Sequence, residues 1–124
     1  MKYFAKLDSD SKVIGVTHVG DNNAPTEEAG IEYLNKLHSY PFWKEYTKTS
    51  TDGNYLRKNP PAIGMTYDED RDAFIYTTNP TIWSSSVFNE DNCQWEHPIP
   101  RPDDHKIYHW DEETISWKEG VGIN

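Results

Sequence analysis

Three eight-residue segments in the C-terminal half each begin and end on an aromatic residue and carry acids or amides between. They are Tyr67-Asp68-Glu69-Asp70-Arg71-Asp72-Ala73-Phe74, Phe88-Asn89-Glu90-Asp91-Asn92-Cys93-Gln94-Trp95 and Trp110-Asp111-Glu112-Glu113-Thr114-Ile115-Ser116-Trp117. Their starts, at positions 67, 88 and 110, lie 21 and 22 residues apart. Two large side chains with six residues between them face each other when the chain folds back on itself. Such cross-strand aromatic pairs contribute about 0.2–1 kcal/mol each. Asp and Asn between them satisfy the backbone amides of the turn. A period of this length holds one hairpin and one connection, and repeated units of that kind pack neighbour on neighbour. Leu7-Asp8-Ser9-Asp10-Ser11-Lys12-Val13-Ile14 reads as a degenerate fourth copy with aliphatic ends.

The rest of the chain is consistent with this reading. Tyr3-Phe4-Ala5-Lys6-Leu7 and Val13-Ile14-Gly15-Val16-Thr17-His18-Val19 are β-prone runs around a polar turn, a hairpin pattern. Thr26 is placed to cap a helix, with Glu27 and Glu28 in the first turn, where the helix dipole favours anions. Ile31, Leu34, Leu37 and His38 follow at helical spacing, and Pro41 ends the segment. Phe42-Trp43-Lys44-Glu45-Tyr46 opens a strand. The expected fold class is therefore mainly β with a minor α component. Antiparallel hairpins form a meander, with one short helix near 26–38. Turns are expected near 8–12, 68–72, 89–92 and 111–114. One small domain, 1–124, is expected, divisible into 1–58 (hairpin, helix and strand) and 59–124 (the three repeats).

Composition narrows the function. Leu, Ile, Val and Phe number 22 of 124 residues and the net charge is −9, a pattern that in isolation signals disorder. Against it stand 5 Trp, 8 Tyr and 4 Phe, each able to bury roughly 150–250 Å². A thin, aromatic core is expected, supported in part by neighbouring molecules. Pro-rich connections at 59–61 and 98–104 have the least local support. No apolar run of about 18 residues is present, so no membrane span is expected. The opening residues lack the apolar stretch of a secretory signal. Acids outnumber bases 21 to 12, which argues against nucleic acid as a partner.

Catalytic and metal chemistry find little footing. The acidic loops read as solvated turns rather than paired catalytic carboxylates, and no loop has the full calcium-hand spacing. His105 and His109 on a strand would lie about 13 Å apart, too far to share an ion. Cys93, the single cysteine, sits near Asp91 and Glu96, which oppose a thiolate. No enzyme activity, catalytic residue, metal or cofactor is expected. The candidate site is instead an interface built from Trp43, Trp83, Phe88, Trp95, Trp110 and Trp117. Its tryptophans could alternatively stack on sugar rings.

The run Leu56-Arg57-Lys58-Asn59-Pro60-Pro61-Ala62-Ile63-Gly64-Met65-Thr66-Tyr67-Asp68 with Arg71-Asp72-Ala73-Phe74-Ile75 resembles a family of small proteins of marine bacteriophages. So do Val87 to Glu96, Tyr108 to Trp117 and the opening Tyr3-Phe4-Ala5-Lys6-Leu7-Asp8. The resemblance spans nearly the whole chain and departs at Pro60-Pro61, where an aromatic and a small residue are expected. It implies a virion structural or accessory protein, made in the infected bacterium and present in several copies or as a homo-oligomer. Its implied partners are other virion proteins of the shell or tail. Capsid decoration is the leading expectation. A tail, fibre or baseplate component, or a module binding a host glycan, is the alternative.

Overall fold

The computed structural model describes residues 1–50 and 53–120. In chain order the described elements are β1 (Lys2–Leu7), β2 (Val13–Val19), α1 (Glu27–His38), β3 (Trp43–Tyr46), β4 (Thr66–Asp68), β5 (Ala73–Ile75), β6 (Val87–Asn89), β7 (Gln94–Glu96), β8 (Tyr108–Asp111) and β9 (Ser116–Glu119). The fold is mainly β, with antiparallel sheets and a single helix, as the sequence patterns require. The chain divides into two compact units, Met1–Thr77 and Thr78–Asn124.

In the N-terminal unit, β1 is the central strand of a three-stranded sheet ordered β2-β1-β3. A central strand covered on both faces needs apolar residues on both. Phe4 therefore points to one side, where it packs with Val19, Ala24, Leu34 and Trp43. Ala5 and Leu7 join Val13, Tyr46, Met65, Tyr67 and Phe74 in a second cluster. The helix is set by Thr26, whose hydroxyl accepts from the Ala29 amide at 3.1 Å, and by Ser39 in the left-handed region at its end. Gly30 lies against the Phe4 ring so closely that a Cβ would stand 2.3 Å from it. Leu34 is buried, whereas Leu37, at the same helical spacing, is exposed.

The first hairpin corrects the fourth-copy reading. Leu7 pairs with Val13, not Ile14, because the register shifts between Lys6 and Leu7. Asp8 Oδ1 accepts the Asp10 and Lys12 amides, and Ser11 takes a positive φ, closing a shorter loop. Ile14 is left exposed.

Hairpin β4–β5 belongs to the N-terminal unit, which moves the boundary from the expected 58/59 to 77/78. Its Tyr67 and Phe74 complete the second cluster, and the Val13 and Tyr67 amides donate to Met65 and Ser11 carbonyls. Arg57 ties this hairpin to the sheet and helix. Its guanidinium meets Glu27 at 3.0 Å, the Glu45 carbonyl at 2.7 Å and Asp72 at 3.1 Å. The expectation that 59–61 is weakly supported is corrected at Asn59. Asn59 is 7% exposed and donates to the Phe74 carbonyl, so it is part of the packing.

Candidate functional site

The three repeats fold as three hairpins of one design. Tyr67 lies opposite Phe74, Phe88 opposite Trp95, and Trp110 opposite Trp117. Ring centroids stand 5.5, 5.6 and 5.2 Å apart in these pairs, in tilted or edge-to-face arrangements that suit the aromatic quadrupole. The second residue of each repeat braces the turn. Asp68 accepts the Arg71 amide, Asn89 the Asp91 amide, and Asp111 the Thr114 hydroxyl. The sixth residue closes each four-residue loop in the left-handed region: Asp72 at φ 48°, Cys93 at 58° and Ile115 at 51°. Four-residue loops of this kind are built on a type I turn. For a β-branched residue such as Ile115 that conformation is an outlier.

The C-terminal unit gathers four rings. His97 stacks on Trp110 at 4.2 Å and meets Trp83 and Trp117 edge-on at 4.9 and 5.0 Å. Its Nδ1 is buried without a hydrogen-bond partner among the described residues. Trp117 donates its indole N–H to the Ile99 carbonyl at 2.8 Å, which ties the proline-rich segment after β7 to β9. Residues 98–107 are otherwise exposed throughout.

Glu112 departs from the expectation that the repeat acids are solvated. Its carboxylate accepts from the Ser85 hydroxyl at 2.6 Å, the Ser85 amide at 3.0 Å, the Ser84 hydroxyl at 3.1 Å and Trp110 Nε1 at 2.9 Å. Ser85 and Trp110 hold its pKa down to about 2. Glu112 thereby fixes the loop that carries Trp83 and orients Trp110 in the cluster. Only the acid's position in the repeat was visible in the sequence; its serine donors, Ser84 and Ser85, lie 28 and 27 residues upstream.

The predicted interface residues thus separate into two environments. Trp83, Phe88, Trp95, Trp110 and Trp117 are all half-buried, in the C-terminal unit. There, among the described residues, only Ser86 and Cys93 are buried. Trp43 is 5% exposed in the N-terminal core, donating to the Tyr40 carbonyl, and so has no free ring face for a partner. Sequence reasoning missed His97, whose role depends on three rings distant in the chain. His105 lies in a loop, while His109 on β8 shares a hydrogen bond with the Gly120 carbonyl. Among the described residues no three His, Cys, Asp or Glu side chains are grouped to hold a metal ion. No described helix is long and apolar enough to cross a membrane. Comparison with protein-family models, with curated proteins and with solved structures returns no match.

Proposed function

We propose that this protein is a virion structural or accessory component of a bacteriophage, a capsid-surface decoration or cement protein that binds other virion proteins rather than catalysing a reaction. The observation that carries the reading is the concentration of five half-buried aromatic rings, Trp83, Phe88, Trp95, Trp110 and Trp117, in a unit where only Ser86 and Cys93 are buried among the described residues. Tryptophan and tyrosine dominate the energetics of protein interfaces because each removes a large area from water at small entropic cost. Covering those rings with a shell protein, or with further copies of this chain, would supply the burial that the unit lacks internally. The resemblance of the repeats to marine phage proteins points the same way.

Quantitative mass spectrometry of purified particles tests this. The expected result is a fixed stoichiometry to the major shell protein, lost when Trp95 and Trp117 are both changed to serine. Presence at a few copies tracking tail proteins would move the assignment to tail, fibre or baseplate. Detection only in infected-cell lysate would overturn it.

A further inference from the structure

A cleft of about 360 Å³ opens on the N-terminal unit, bounded by the first hairpin turn, the segment entering β3 and the hairpin β4–β5. Its chemistry has two parts. Apolar surface comes from Phe42, 49% exposed and held edge-to-face against Tyr40 at 5.7 Å, and from the margins of Trp43 and Tyr67. Polar groups come from Ser9, Ser11, Asp8, Glu69 and Lys44. Asp8 uses Oδ1 to brace its own turn, and Oδ2 makes no hydrogen bond among the described residues. Lys44 Nζ rests 5.0 Å above the Tyr67 ring.

These groups select among ligand classes. Two carboxylates against one ammonium disfavour an anion, and a third carboxylate, His or Cys that would complete a metal site is missing among the described residues. A purely apolar ligand would leave the carboxylates and hydroxyls desolvated without partners, at substantial cost. A neutral ring bearing several hydroxyls fits instead. Each of its hydroxyls both donates and accepts, matching acceptor carboxylates, a donor ammonium and two-way serine hydroxyls, while its C–H face lies on Phe42. The volume is at the low end for ligand pockets, suited to one such ring rather than an extended chain. We infer that this cleft is a binding site for a neutral saccharide unit, with Phe42 as the stacking platform and Glu69 and Asp8 as hydroxyl acceptors. The inference stands independently of the virion reading and places sugar recognition away from the tryptophans of the repeats.

The test is a titration of the full isotope-labelled chain, followed by backbone amide shifts. The panel is neutral methyl glycosides of glucose, galactose, mannose and N-acetylglucosamine, with galacturonic acid as the anionic control. At least one neutral glycoside is expected to give saturable shifts at Ser9, Phe42 and Glu69, with a dissociation constant of roughly millimolar order for so small a ligand. Phe42→Ala weakens that binding about tenfold. Glu69→Gln, on an exposed turn, also weakens it about tenfold. The same variant narrows the preference for the neutral sugar over galacturonate, which a merely structural role of Glu69 would not do. Absence of shifts with every neutral glycoside overturns the inference. So does galacturonate binding as tightly as the neutral sugars, or shifts confined to residues 78–120.

Discussion

The two units use the same hairpin in different ways. In the N-terminal unit, hairpin β4–β5 lays its aromatic pair onto a sheet, and both rings become buried: Phe74 is inaccessible and Tyr67 nearly so. In the C-terminal unit the equivalent pairs Phe88–Trp95 and Trp110–Trp117 remain half-buried, gathered around His97 or facing each other. An aromatic bracket is therefore enough to close a hairpin but not to make a core. A core needs a second layer, which the N-terminal unit has in its sheet and helix.

The sharpest way to break this comparison is to truncate equivalent rings. Phe74→Ala removes a fully buried side chain and is expected to cost about 3–5 kcal/mol, the usual range for such deletions. Trp117→Ala, half-buried, is expected to cost about 1–2 kcal/mol and to be felt only in the C-terminal unit. Chemical denaturation followed by unit-specific amide signals measures both. Equal losses would mean that the two units are equally well packed.

Next in size is Arg57→Ala. It leaves Glu27 and Asp72 without their cation and the Glu45 carbonyl without its donor, at an expected cost of about 2–4 kcal/mol in urea unfolding. Arg57→Lys recovers less than half of this, because one ammonium cannot span three acceptors. Full recovery by lysine would reduce the tie to simple charge.

A smaller effect of opposite sign is expected at Ile115. Its left-handed backbone costs about 1–2 kcal/mol for a β-branched residue, and its side chain is 41% exposed. Ile115→Asn is therefore expected to stabilise the C-terminal unit by about 1 kcal/mol, read as a raised midpoint. A loss of stability would show that the exposed isoleucine packs more than its exposure implies.

The smallest effect concerns pH. Glu112 has its pKa lowered from 4.5 to about 2 by its hydrogen bonds to Ser85 and Trp110. A depressed carboxylate stabilises the fold above its unfolded pKa and loses that contribution as pH falls through the folded one. The Trp110 indole N–H resonance of the folded protein should hence shift with a midpoint near pH 2, while Glu112's contribution to stability fades as pH falls from about 4.5 to 2. Glu112→Gln should abolish the shift while the N-terminal unit stays unaffected.

What could be read from the residues follows the distance over which each feature acts. The hairpin brackets were legible because both partners lie within eight residues and the turn residues stand between them. The helix was legible from Thr26, Glu27 and Glu28, all local signals. The unit boundary was not, because it depends on Phe74 meeting Ala5 and Met65 across the sheet. Asn59 read as an unsupported connection because its acceptor, the Phe74 carbonyl, lies 15 residues on. Gly30 carried no signal of its contact with Phe4 beyond being a glycine inside a helix. His97 and Glu112, which organise the tryptophan cluster, are unremarkable alone and acquire their roles only when the loop carrying Trp83 and Ser85 meets Trp110 and Trp117 of β8 and β9.

The four-residue turns closed by a left-handed residue also set the order in which the chain can acquire structure. Each bracket joins residues that are near neighbours in sequence, and an isolated hairpin of this size forms in about 1–10 μs. Pairing β3 with β1, by contrast, must bring Trp43 to Lys6 across a long loop and carries a larger closure entropy. During synthesis the N-terminal sheet must therefore wait for the strand at 43–46 to emerge. Hairpins β6–β7 and β8–β9 can each close as soon as their second aromatic leaves the ribosome. Nascent-chain protection should accordingly rise once for the sheet and then in separate steps as Trp95 and Trp117 emerge.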